Sequence, residues 1–214
     1  MADRAAAEGS VPWALGPPRQ AVRDALLVLG TAAVWGGLTS LGQQYLPDQV
    51  RSLANAAGPW FVVAMGSIVV ARPRPVLAIV LGILSLAIMN EAYGIVSRLR
   101  DYPYSGGLSS IWNLVALIAG PVAGIAATWL RSSNPMLIAL GAAAGVAVLT
   151  GEGLYGLVVI GDTTSPVFWS IEIAAGLCLA SVAALRLRNI VATSVLVLAS
   201  VLGAALFYAA YSRL

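Results

Sequence analysis

The sequence predicts an all-α, polytopic membrane bundle of seven transmembrane helices, arranged as one helix followed by three hairpins. Hydrophobic residues make up 59% of the 214 positions and charged residues only 10%, whereas about a quarter of the residues of a soluble domain are charged. Seven apolar runs, each near the ~20 residues that a spanning helix needs, are separated by short segments rich in proline and arginine. The loops are therefore too short to fold separately.

The apolar runs define the predicted spans, and what precedes them is predicted to be a tail. Residues 1–22 lack an apolar core and are expected to form a disordered cytoplasmic tail, and residues 23–214 a single transmembrane domain. The predicted spans are 23–43, 51–71, 75–97, 108–130, 136–160, 166–185 and 190–212.

Arginine supplies every basic side chain, because the chain contains no lysine. Eight arginines fall in segments on the side of the N-terminus and four on the other side, and this favours an N-terminus inside and a C-terminus outside. The chain is accordingly expected to be a multi-pass protein of the cell membrane, in contact with the lipid bilayer, and of bacterial type. The arginines are scattered singly or in pairs, so nucleic acid is not expected as a partner.

An internal repeat is indicated by two matching segments. Residues 57–59 (AGP) are followed 36 residues later by Tyr93, and residues 119–121 (AGP) are followed 36 residues later by Tyr155. Each proline is expected to kink an apolar span, since it removes a backbone donor. A third, fainter copy leads from residues 175–177 to Tyr211.

Three glutamates lie within the apolar runs: Glu91, Glu152 and Glu172. A charged side chain costs roughly 2.5–3.5 kcal/mol at the centre of a spanning helix, so such residues normally face the bundle interior or a wet cavity. Their positions place all three ~9–12 Å below the outer surface, in one layer. Each has a glycine three or four residues later, which favours contact with a neighbouring helix.

Aromatic and amide side chains are predicted at the same depth. Tyr93, Tyr155 and Trp169 are candidate walls of a site, and Asn55 and Asn113 are candidate ligands. Carboxylates and aromatic faces both attract cations, so the pattern fits a small cationic or polar solute. The alternatives are an interfacial aromatic belt, glutamates that serve only helix packing, and asparagines that cap helices.

Enzymatic chemistry is not expected. The chain has no histidine and a single cysteine, which removes the commonest general base and leaves no clustered metal ligands. No phosphate-binding glycine loop is present. No catalytic residue, metal or cofactor is therefore predicted.

Three stretches carry a resemblance to a known family. Residues 39–47 (TSLGQQYLP) and 52–60 (SLANAAGPW), together with the run from Trp112 to the arginine at 131, resemble domain of unknown function 6518, an uncharacterised bacterial multi-pass family. The resemblance covers the first five spans most clearly and implies a membrane fold. It implies no activity.

The polar layer leads to a functional hypothesis. We expect a solute-binding membrane protein, transporter-like or the substrate-binding subunit of a transporter, with an outward-facing acidic and aromatic pocket. A non-catalytic accessory or scaffold subunit of a membrane complex and an ion channel are the alternatives. A homo-oligomer or a membrane-complex partner is compatible with each.

Overall fold

The computed structural model describes residues 17–104, 107 and 109–213, and within them the chain forms seven α-helices, one short 3₁₀ helix and no strand. The 3₁₀ helix is Arg51–Ala54. The α-helices are α1 (Pro18–Tyr45), α2 (Ala57–Ala71), α3 (Pro75–Leu99), α4 (Ile111–Trp129), α5 (Pro135–Val158), α6 (Pro166–Leu187) and α7 (Ile190–Tyr211). The all-helical fold class is confirmed.

Six of these helices, all except α2, are long and apolar enough to cross a membrane. Helix α2 has 15 residues and is roughly 22 Å long, shorter than the ~30 Å hydrocarbon core. The predicted second span, 51–71, was therefore too long. Pro59 has no backbone N–H and fits an α-helix only in its first turn, and α2 accordingly starts two residues before it. Only two residues of α2 precede Pro59, so the kink expected there does not arise.

The first helix also starts earlier than expected. Residues 18–22 of the predicted tail belong to α1, and residues 1–16 lie outside the described part of the chain. The other predicted spans agree with the observed helices to within a few residues. The inside and outside assignment of the two ends stays a prediction.

Local sequence signals set most helix starts. Helices α1, α3, α5 and α6 have a proline in their first two positions, where its missing N–H is not needed. The side chains of Ser110, Asn134, Ser165 and Asn189 accept backbone N–H groups at the starts of α4, α5, α6 and α7. These caps allow the turns between helices to be short.

Helix α5 is the centre of the bundle. It packs on α7, α6, α4 and α2, while α3 packs on α4, α1 and α2. The segments 46–56, 100–104 and 159–165 lie at one end of the bundle, which we call the polar end. The turns 72–74, 130–134 and 188–189 lie at the opposite end.

Helices α3 and α4 approach each other at glycines. A Cβ at Gly82 would overlap backbone atoms of Gly120, and a Cβ at Gly120 would overlap those of Ile83. Small residues permit such close contact between membrane helices. Pro121 follows within the same helix, in the middle of α4, whereas Pro59 is in the first turn of α2. The two matched motifs of the predicted repeat thus occupy different positions in their helices.

This contact predicts a large effect for a single added methyl group. We expect Gly120→Ala to lower the free energy of unfolding by about 1–3 kcal/mol, because the α3 backbone must move, even though alanine favours helix formation. Thermal unfolding in detergent measures the change. Gly66→Ala is the control, since nothing lies within 4 Å of a Cβ there; equal losses from both substitutions would contradict the packing described.

Candidate functional site

The start of α2 is capped by a side chain from α5. The N–H of Ala57 donates to Glu152 Oε1 at 2.7 Å, and the N–H of Gly58 donates to Glu152 Oε2. The residue at the N-cap position, Ala56, offers no side-chain acceptor. Glu152 is 1% exposed, so a carboxylate 95 residues away supplies the acceptor that the first turn of a buried helix requires.

A second carboxyl group lies against the first. A Cβ at Gly58 would overlap Glu172 Oε1 and would lie 3.0 Å from Glu152 Oε2, so the two carboxyl groups are neighbours on one side of this glycine. Glu172 is 3% exposed. Neither of its carboxyl oxygens has a hydrogen-bond partner among the described residues.

The two carboxyls differ in their hydrogen-bond donors, as expected for a pair of carboxyl groups that holds one proton. Both oxygens of Glu152 accept backbone N–H groups at the positive end of α2, where a carboxylate is stabilised. Glu172 receives no donor from the described residues. Two adjacent buried carboxylates would repel each other. We therefore expect Glu172 to carry a proton, which could be donated to Glu152 after a small movement of the Glu172 side chain.

Helix α7 closes one side of this pair with aromatic rings. Tyr211 lies beside the carboxylate of Glu152. Its ring meets that of Tyr155 edge to face at 4.9 Å, and Tyr155 also contacts Tyr208. Tyr155, predicted as a wall, therefore reaches the site through Tyr211. The sequence hypothesis omitted Tyr211 from the site, although the faint third repeat had pointed to it.

An apolar cluster covers the pair at the polar end. Ala56, Phe168 and Trp169 are buried together there, with Leu53 packed against them. The indole of Trp169 lies over Gly156, where a Cβ would overlap the ring, and its Nε1 donates to Thr164 Oγ1 at 2.8 Å. Trp169, predicted as a wall, is thus part of this cover.

A shallow groove borders the segment that carries the cover. Its lining is polar, and the exposed Asn55 belongs to it rather than to the glutamate pair. A salt bridge of 2.8 Å joins Arg51 to Asp48 within it. The lining residues are Asp48, Arg51, Ser52, Asn55, Asp162, Thr163, Thr164 and Ser165.

Glu91 has a separate set of partners between α3 and α4. Asn113 Nδ2 donates to Glu91 Oε1 at 3.0 Å and to the carbonyl of Gly107 at 2.9 Å. Asn113 Oδ1 accepts from Asn90 at 3.3 Å, and Asn90 Oδ1 accepts from Tyr104 at 3.0 Å. This network joins two helices and the segment between them.

Tyr93 belongs to a further contact, between α3 and α1. Its hydroxyl donates to Gln43 Oε1 at 2.5 Å, and its ring packs near Trp60. The predicted site residues therefore fall into two groups. Glu152 and Glu172 meet, with Tyr155 and Trp169 around them. Glu91, Asn113 and Tyr93 make their contacts elsewhere, and no contact among the described residues links Glu91 to Glu152.

The family model DUF6518, described as a family of unknown function, matches residues 16–214. The chain belongs to this family. The match includes the last two helices of this DUF6518 protein, α6 and α7, which the resemblance had covered by hydropathy alone. No curated protein and no solved structure matches the chain significantly.

The asymmetry of the two glutamates predicts unequal effects of the same substitution. We expect Glu152→Gln to destabilise the protein by about 1.5–3 kcal/mol, because an amide has only one acceptor oxygen for two N–H donors. We expect Glu172→Gln to change stability by less than about 1 kcal/mol, because the amide N–H can replace the donated proton. Thermal unfolding of both variants in detergent measures this, and equal losses, or a larger loss at Glu172, would contradict the proton assignment.

Proposed function

We propose that this protein is a transporter-like, cation-binding membrane protein, and that Glu152 and Glu172 hold a small cation or the cationic group of a solute. The proposal rests on the buried Glu172 carboxyl, which adjoins a second carboxyl and whose two oxygens have no hydrogen-bond partner in the described part of the chain. Ionisable groups within membrane helices are costly and commonly mark ion or substrate pathways.

In the proposed site, the negative charge that attracts a bound cation comes from Glu172. The positive end of α2 offsets the charge of Glu152, which already accepts two N–H groups. When a cation binds, Glu172 gives up its proton to water and its carboxylate takes the cation. The exchange keeps the net charge of the site constant. The cost of burying a charge therefore does not increase.

The short helix α2 supports a transporter-like site. Glu152 is about six residues from the end of α5, which places the start of α2 roughly 9 Å inside that helix end. Discontinuous helices whose ends meet within the bundle form the binding sites of many transporters. The 3₁₀ helix, the turn at Asn55 and the extended Ala56 lie between the start of α2 and the polar end.

Access to the pair requires the cover to move. Glu152 and Glu172 are buried, so the structure corresponds to an occluded state of the proposed site. The groove lined by Asp48 and Asp162 supplies acidic side chains at the polar end. Separation of Ala56 from Trp169 would connect this groove to Glu172.

An accessory or scaffold subunit is the second candidate. The same complete burial of Glu152 is what a purely structural hydrogen bond between α2 and α5 requires. The two candidates differ in whether Glu172 exchanges its proton for a solute.

Binding to purified protein separates these candidates. We expect one or more members of a panel of alkali cations and small organic amines to raise the melting temperature in detergent. Binding should release a proton, detectable with an indicator dye in weak buffer. Glu172→Gln should weaken binding about 30-fold, since a contact to a charged group contributes roughly 2 kcal/mol.

Glu91→Gln is the matched control, because it removes a glutamate near the same end without touching the pair. It should leave both the thermal shift and the proton release unchanged. If no panel member stabilises the protein, or if Glu172→Gln keeps every shift, the scaffold candidate replaces the transporter-like one.

Movement of the cover predicts a labelling pattern. In a Cys178→Ser background, Asn55→Cys is exposed and should react at once with a water-soluble thiol reagent. The native Ala56 is only 2% exposed, so Ala56→Cys should react slowly. A cation that stabilises the protein should slow this reaction further, because the cover then opens less often. Mass spectrometry follows both rates. Labelling at position 56 that is as fast as at position 55 would contradict a closed cover.

A further inference from the structure

The opposite end of the bundle carries an excess of arginine. Within the described residues, Asp24 is the single acidic side chain among the segments at that end. The arginines there are Arg19, Arg23, Arg72, Arg74, Arg131, Arg186 and Arg188. Three of these arginines, Arg23, Arg72 and Arg131, lie together at the turn between α2 and α3.

Two arginines are held at the turn by backbone carbonyls. Arg23 donates to the carboxylate of the buried Asp24 at 2.8 Å and to the carbonyl of Ala71 at 3.5 Å. Arg131 donates to the carbonyl of Pro73 at 3.0 Å. The start of α1 and the turn that follows α4 are thereby held next to the turn between α2 and α3.

A third arginine adds charge without a counter-ion. Arg72 ends α2 with a φ of 63° and its backbone N–H donates to the carbonyl of Ile68. The residue is exposed, and its guanidinium has no hydrogen-bond or ion-pair partner within the described part of the chain. It lies close enough to Arg131 for repulsion: burial lowers the pKa of Arg131, Arg72 lowers it further, and Asp24 raises it. Asp24 is already paired with Arg23, so Arg72 and Arg131 have no acidic side chain to balance their charges.

We propose that Arg23, Arg72 and Arg131 bind the phosphate of an anionic phospholipid headgroup. Guanidinium groups recognise phosphate oxygens through paired N–H donors, and a phosphate would relieve the repulsion between Arg72 and Arg131. Basic pockets between membrane helices are suited to such headgroups.

The neighbouring surface favours a lipid over free phosphate. Leu26 is 70% exposed one helical turn from Arg23, Val70 is 69% exposed two residues from Arg72, and Val76 is 38% exposed at the start of α3. These aliphatic side chains continue from the arginines along the bundle, where they would contact the acyl chains of a lipid held by its headgroup.

Lipid titration of the purified full-length protein tests the proposal. We expect phosphatidylglycerol to raise the melting temperature in a saturable way, and phosphatidylcholine and inorganic phosphate to do so much less. Arg72→Asn, which removes the charge and suits the left-handed backbone, should raise the phosphatidylglycerol concentration for half the maximal shift about tenfold.

Arg188→Asn is the matched control. Arg188 is also exposed, also ends a helix at this end of the bundle, and has a φ of 46°, so its loss changes the net charge equally. It should leave the titration unchanged. Equal effects of both substitutions would overturn the site in favour of a diffuse charge effect, and a full shift with inorganic phosphate would overturn the lipid as the ligand. Native mass spectrometry of the wild-type protein gives a second readout: no retained phosphatidylglycerol would also overturn it.

Discussion

A helix that begins inside an apolar bundle needs acceptors for its first N–H groups, because neither lipid chains nor apolar side chains can supply them. In this protein that requirement falls on α2, and Glu152 meets it from α5. This arrangement requires glycine at position 58, because any side chain there would displace the two carboxyls. Glu172 is then held next to this carboxylate, and no described residue donates a hydrogen bond to Glu172.

The polar contacts described above form two groups, and each group joins a different set of helices. The pair of glutamates connects α2, α5 and α6, and Tyr211 extends the same group to α7. Glu91 and Asn113 join α3 to α4, where glycines bring the two backbones together. The first group combines an apolar cover with a carboxyl that has no hydrogen-bond partner among the described residues. In the second group, Glu91 already accepts a hydrogen bond from Asn113.

The two ends of the bundle present different chemistry. Acidic and aromatic side chains dominate the polar end, and arginines the opposite end. Such a distribution suits a membrane protein that meets cations on one side and anionic headgroups on the other. The cation and lipid sites proposed above lie at different ends and share no residue, so each can be tested without the other.

Hydropathy, proline positions and capping residues are local properties, and they determined the membrane character, the helix count and most helix boundaries. They also indicated that Glu152 faces inward, because glycines share its helix face. The late start of α2 was readable from Pro59, but the apolar residues before this proline outweighed that signal. The pairing of Glu152 with Glu172, the separation of Glu91 and the burial of Asp24 came only from the tertiary structure. These features depend on how helices distant in sequence rotate and pack, and depth along a helix contains no information about which neighbour a side chain meets.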